Sequence, residues 1–209
     1  MKLVNNGESP VLSPQKSFPT DQTPYLSGSS LPNNYQFVQL HFHWGPDSAG
    51  GGSEHLLRSK RYAAELHLVH YNTKYSSYAE STNHADGLAV LGVLMDTANN
   101  PSDHPGLEKL VKHFNEIKAS GSETNLTSTF KLNELLPQNT QNFYRYRGSL
   151  TTPKYAEIVT WTVFKTPLLV SERQVSFKLN DRYNCVYIVF TLVFKLGYKT
   201  GCCISDAPS

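Results

Sequence analysis

Between Gln36 and Trp44 the chain runs Gln-Phe-Val-Gln-Leu-His-Phe-His-Trp, and no other stretch constrains the fold as much. Successive side chains of a strand point to opposite faces. The alternation therefore sets Phe37, Gln39, His41 and His43 on one face and Val38, Leu40, Phe42 and Trp44 on the other. After the turn Gly50-Gly51-Gly52, a second alternating stretch puts Glu65, His67 and Val69 on a face opposite Leu66, Leu68 and His70. The two are expected to be neighbouring antiparallel strands.

Asp86 to Asp96 is an apolar run centred on Val90, and Tyr155 to Phe164 is another, bounded by Pro153 and Pro167. Both read as buried strands. Between them Leu107, Leu110, Val111, Phe114 and Ile117 recur at helical spacing, with Pro105 at a first turn and Gly121 at a stop, which predicts one amphipathic surface helix. Residues 9 to 34 are rich in Ser, Pro, Gly and Asn and read as connecting loops with room for one short strand, so order is expected from about Tyr35. Strands outnumber helices without regular alternation, and no long repeat is visible. The expected class is mainly β (α+β), a mostly antiparallel sheet with short peripheral helices.

The 209 residues suit one domain that needs no disulfides to hold its core. Lys plus Arg number 19 against 17 Asp plus Glu, with no basic run interleaved with aromatics, so nucleic acid is not an expected partner. No segment from Met1 onward has signal-peptide character or the length of a membrane span. Val186 to Phe194 is the longest apolar run, about half the roughly 20 residues a membrane helix needs, and reads as a strand. The three cysteines, Cys185, Cys202 and Cys203, form no spaced pair that would hold metal.

Two histidines two apart on a strand project from the same face, so His41 and His43 can share a metal, with His67 on the neighbouring strand as the third ligand. Three neutral imidazoles leave a zinc ion its positive charge and one open position for water. Gln39 and Glu65 sit two residues before His41 and His67 on the same faces, placed to hold the other ring nitrogens. A lone H-x-H pattern is weak, since a strand histidine more often packs than ligates. The weight comes from its combination with the second histidine strand, its same-face carboxylate, and Gly148-Ser149-Leu150-Thr151-Thr152-Pro153.

Those segments, with Gly52-Ser53-Glu54-His55, Tyr62 to His70 and Asp86 to Gly92, resemble the signatures of the alpha-type carbonic anhydrase family from about Leu3 to Gln174. The resemblance implies a large twisted sheet and zinc (Zn2+) on His41, His43 and His67. It implies that zinc-activated hydroxide attacks carbon dioxide to give bicarbonate. In that scheme the hydroxide donates its hydrogen to Thr151, which donates its own to Glu54. An acceptor-only carboxylate would fix the threonine's donor direction. Val69, Val90, Leu150, Val159 and Trp161 match the family's apolar wall for carbon dioxide, and Thr152 is carried over beside them; periodicity alone would favour ordinary core packing for the five and a plain turn role suits Thr152, so only the family match draws them to the pocket. Aryl sulfonamides are the expected inhibitors, and a monomer the expected state.

The chain departs from the family pattern in several places. In Asn5-Asn6-Gly7-Glu8, efficient members carry a histidine proton shuttle at the last position. A carboxyl with an ordinary pKa of about 4.3 relays protons poorly at neutral pH, so Glu8, with Asn6 beside it, predicts slower, buffer-dependent turnover. The family's residues before this segment are expected to be missing. Residues 1 to 174 then form the family-like domain, and 175 to 209 a divergent tail. That tail replaces a segment supplying the backbone acceptor for one zinc-bound histidine, so His43 is expected to lack its usual partner. Pro153-Lys154 stands where some members have consecutive prolines.

A zinc-binding interaction module without catalysis is the competing class, though such relatives usually lack a zinc histidine. A zinc peptidase is remote, as no HExxH helix is present. His55 and His70 are expected to hydrogen-bond in the core, and His84, His104 and His113 to be exposed. The expected location is cytoplasmic, with secretion as the alternative if the natural N-terminus lies upstream of Met1; the glycosylation pattern Asn125-Leu126-Thr127 matters only in that case.

Overall fold

The computed structural model describes residues 1–176 except 16–18, 20, 21, 46–50, 100, 128 and 129. The expected strand at Val186 to Phe194, the cysteines and most of the expected tail lie outside the described residues, as does Gly50.

The histidine strand is β4 (Tyr35–Trp44), and β5 (Ala64–Asn72) lies antiparallel beside it with His41 directly opposite His67. On the far side of β5 comes β6 (Leu88–Asp96), buried at every position but its last. Burial on both faces is why this segment reads as a continuous apolar run. β9 (Val159–Phe164) continues the sheet parallel to β6, and β8 (Phe143–Gly148) follows antiparallel to β9. On the other side of β4 lie β2 (Pro10–Ser13), β1 (Lys2–Asn5) and β7 (Glu123–Asn125) in that order. Short strands β3 (Tyr25–Leu26) and β10 (Leu168–Leu169) pair with β4 and β6, so the sheet has ten strands among the described residues. Only β6–β9 and β6–β10 are parallel among the described pairs.

The sheet separates two apolar clusters. Leu40, Phe42, Leu66, Leu68, Leu91 and Val93 face one side and pack with α2 (Pro105–Val111). Val69, Leu88, Val90, Val159 and Trp161 pack on the opposite face, which carries the histidines. The other helices, α1 (Tyr78–Ser81) and α3 (Glu172–Val175), are single turns.

Four details differ from the sequence reading. Order begins at Lys2, because β1 and β2 form an antiparallel hairpin that buries Leu3 and Leu12. Four-residue strands show too few alternations to stand out from a polar, proline-containing segment. Second, a register shift between Phe37 and Gln39 makes Val38 a bulge residue. The extra residue reverses facing, so Phe37 packs with Leu40 and Phe42, while Val38 packs on the histidine side. Third, the expected helix is α2 followed by a 3₁₀ turn at Phe114–Ile117, where spacing by three aligns Phe114 and Ile117 in the core. Fourth, His113 is buried at that junction, with Nδ1 2.8 Å from Glu116 Oε1.

His70 is buried beside Phe37, with ring centroids 5.6 Å apart. Burial lowers its pKa to about 4, against the opposing pull of the Leu68 and Ala89 carbonyls. The unfolded chain binds this proton near pH 6.5 and the folded chain only near 4. His70 therefore costs no stability above about 6.5 and costs up to about 3 kcal/mol as pH falls to about 4. In metal-free urea titrations, His70→Gln is expected to lose less stability than the parent between pH 7 and 5. Identical losses would contradict a buried neutral His70.

Candidate metal centre

Opposed registry of His41 and His67, with His43 two residues along the same strand, brings the three rings together. Their centroids lie 5.0 Å (His41–His43), 5.3 Å (His41–His67) and 4.5 Å (His43–His67) apart. One ligand atom from each falls within 4.8 Å of the others.

Hydrogen bonding decides which nitrogens are available. His41 Nδ1 lies 3.0 Å from Gln39 Oε1; with the amide oxygen as acceptor, Nδ1 carries the hydrogen and Nε2 keeps its lone pair. His67 Nε2 lies 2.8 Å from Glu65 Oε1, an acceptor only, so Nδ1 is the free nitrogen. Among the described residues His43 Nε2 is buried with no hydrogen-bond partner, and its Nδ1 lies 3.4 Å from Glu54 Oε1. A buried polar atom without a partner is costly unless something occupies its lone pair. Burial, then neighbouring His67, lowers the pKa of His41 to about 3. Burial, followed by His67 and His41, holds His43 well below the ordinary range. Neutral imidazoles with inward lone pairs are the donor set zinc accepts, so the residues fit a zinc ion.

Glu65 is fully buried. Oε2 accepts from the His55 backbone N–H at 2.8 Å, and Oε1 lies 2.5 Å from His55 Nδ1 as well as beside His67. Burial alone would raise its pKa, but His55 and His67 outweigh that and hold it well below the carboxylate range. Conversely, burial lowers the His55 pKa while the Glu65 charge raises it further, leaving it above the ordinary value. His55 Nε2 reaches Tyr146 Oη at 2.5 Å, extending the network to β8. Sequence reasoning missed Tyr146, since it is 91 residues from His55 and no local pattern marks it. Gly92 leaves room for this network: a Cβ there would lie 3.0 Å from Glu65 Oε1 and 3.3 Å from Val163 Cγ2.

Glu54 lies at the edge of the cluster with its side chain 31% exposed. Burial raises its pKa, while charge from His67 and a hydrogen bond with the Thr151 side chain lower it, the net effect being upward. Val69, Val90, Val159 and Trp161 are buried in one cluster with Leu150 half-buried against it. The Trp161 ring packs edge-on to His67 at 4.7 Å, and its Nε1 donates to Ser149 O at 3.1 Å. Thr152 is exposed, and its carbonyl accepts from Tyr155 N at 3.0 Å in a turn. No cis peptide occurs among the described residues, and Lys154 adopts φ 85° after Pro153. Asn6 and Glu8 lie in the β1–β2 turn, where Asn6 Oδ1 accepts from Glu8 N at 2.9 Å. That turn is fastened to β4 by Ser9, whose Oγ accepts from Phe42 N at 3.0 Å and donates to Phe42 O at 2.9 Å. It therefore abuts the strand residue between His41 and His43.

Among the described residues no helix is long and apolar enough to cross a membrane. Residues 1–183 match the family model described as eukaryotic-type carbonic anhydrase. Carbonic anhydrase 12 of Homo sapiens is 40% identical over 173 residues, covering 82% of this chain and 46% of that relative. The chain thus spans about half the length of the curated relative it matches. With a family match across most of the sequence and three inward-facing histidines on adjacent strands, the chain belongs to the eukaryotic-type carbonic anhydrase family.

Proposed function

We propose that the chain binds one zinc ion through His41 Nε2, His43 Nε2 and His67 Nδ1 and catalyses the reversible hydration of carbon dioxide to bicarbonate and a proton. The observation that carries this reading is the buried Nε2 of His43, without a partner among the described residues, between two rings whose outer nitrogens are held by Gln39 and Glu65. Bound zinc would supply a Lewis acid that makes hydroxide available near neutral pH; a zinc-bound water with a pKa of roughly 7 is a known property of carbonic anhydrases as a class.

The chain's own residues do the rest. Gln39 and Glu65 fix the tautomers of His41 and His67. Thr151 donates its hydroxyl hydrogen to Glu54, which leaves the threonine oxygen able only to accept from the nucleophile and so selects its orientation. Val69, Val90, Leu150, Val159 and Trp161 form an apolar surface where a nonpolar gas can rest while water is excluded. Thr152, exposed in the turn next to Thr151, faces substrate at the rim beside this wall. Glu8, with Asn6 shaping its turn, occupies the proton-relay position.

Stopped-flow hydration across a series of buffer concentrations tests this reading. The zinc-loaded parent is expected to show sulfonamide-sensitive hydration that rises with buffer. Glu8→His should raise the low-buffer rate by about tenfold and flatten the buffer dependence. A folded, zinc-loaded sample no faster than the zinc-free blank would leave the non-catalytic binding module as the better reading.

A further inference from the structure

Two of the three candidate zinc ligands are oriented by a residue two positions upstream on their own strand, Gln39 for His41 and Glu65 for His67. The same device is closed to His43, because the residue two positions before it is His41, itself a ligand. Its orienting group must come from another element. The structure places Glu54 there, with Oε1 3.4 Å from His43 Nδ1.

Glu54 is held between two pinned neighbours. Ser53 is fully buried; its Oγ donates to His55 O at 2.7 Å and accepts from Tyr62 N at 2.9 Å, and its carbonyl accepts from Arg61 Nη1 at 2.6 Å. His55 N is bound to Glu65 at 2.8 Å. A side chain anchored on both sides is suited to fixing a ring.

We propose that Glu54 is the positioning residue of His43: its carboxylate accepts from Nδ1–H and so turns the Nε2 lone pair to the metal, while it also accepts from Thr151. This inference rests on the zinc reading above. One carboxylate can serve both donors because it offers about four acceptor lone pairs. Glu54 therefore joins metal affinity to the threonine that orients the nucleophile.

Zinc affinity, measured by competition with a chromophoric chelator on the full chain, separates this role from the one at Thr151. Glu54→Ala is expected to weaken zinc binding by about 10- to 100-fold. Glu54→Gln, whose amide oxygen can accept the same hydrogen, should stay within about threefold of the parent, and Thr151→Val should match it. Glu54→Asp withdraws the oxygens by one methylene and should cost about tenfold, which decides the matter if Glu54→Ala does not fold. Cobalt substitution should show a visible spectrum in Glu54→Ala that departs from the parent's further than that of Thr151→Val does. Parental affinity in folded Glu54→Ala or in Glu54→Asp overturns the assignment, and so does a Glu54→Gln as weak as Glu54→Ala, which would make charge alone responsible. In each of these cases the zinc reading stands. A parent that takes up no zinc overturns both.

Discussion

Glu65→Ala is expected to lose about 3–5 kcal/mol of folding stability at pH 7, read as a fall in the urea midpoint of the metal-free chain. The carboxylate is fully buried and accepts from His55 N, His55 Nδ1 and His67 Nε2. Removing it leaves one buried and two part-buried donors without an acceptor, a penalty that is large in a low-dielectric interior. Glu65→Gln keeps the shape and one acceptor oxygen, so its loss should be smaller. The two variants should also flatten the acid limb of stability. Because the folded pKa of Glu65 lies well below the unfolded one, its contribution is present above about pH 4.3 and disappears as pH falls towards the folded value. A parent and a Glu65→Gln with the same profile below pH 5 would contradict an ionised, paired Glu65.

The second large effect has opposite signs for binding and folding. His43→Leu is expected to abolish stoichiometric zinc uptake and bring hydration down to the zinc-free blank, since two imidazoles no longer close the donor set. The same change should raise the stability of the metal-free chain by up to about 1 kcal/mol, because removing a buried nitrogen with no partner among the described residues outweighs losing the 3.4 Å contact of Nδ1 with the partly exposed Glu54. A structural histidine would behave the other way, with His43→Leu destabilising the metal-free chain and zinc uptake unaffected. Zinc content by elemental analysis and urea midpoints on the same two samples distinguish the cases.

The strands that carry the site were legible because their periodicity survives in the residues themselves. His41 and His43 with Gln39, and His67 with Glu65, stand two apart, and two is the period of a strand. That spacing sufficed to set each ring on the same face as its partner, while the register that puts His41 opposite His67 appears only in the sheet. The bulge at Val38 was not legible, because one inserted residue reverses the facing of everything before it and leaves no mark in composition. Nor was the β1–β2 hairpin, whose strands become recognisable only once Leu3 and Leu12 have a sheet to pack in. The network from Glu65 through His55 to Tyr146 spans three separated segments, so nothing short of the fold brings it together. His113 looked like a surface residue beside Lys112, yet the tightening from α2 into the 3₁₀ turn carries it inward. Thr151 and Glu54, nearly a hundred residues apart, share a hydrogen bond that only the family resemblance anticipated.

If three histidines of this chain hold the one zinc ion that hydration requires, activity must track zinc occupancy. The most direct test is the hydration rate of the metal-free parent as zinc is added in fractions of an equivalent, with zinc content determined on the same samples. The expected rate climbs linearly, levels at one equivalent, and returns to the blank on chelation. A folded chain that binds one zinc without any gain in rate would contradict the hydration activity, and a His43→Leu whose rate rises with zinc as the parent's does would contradict the three-histidine site.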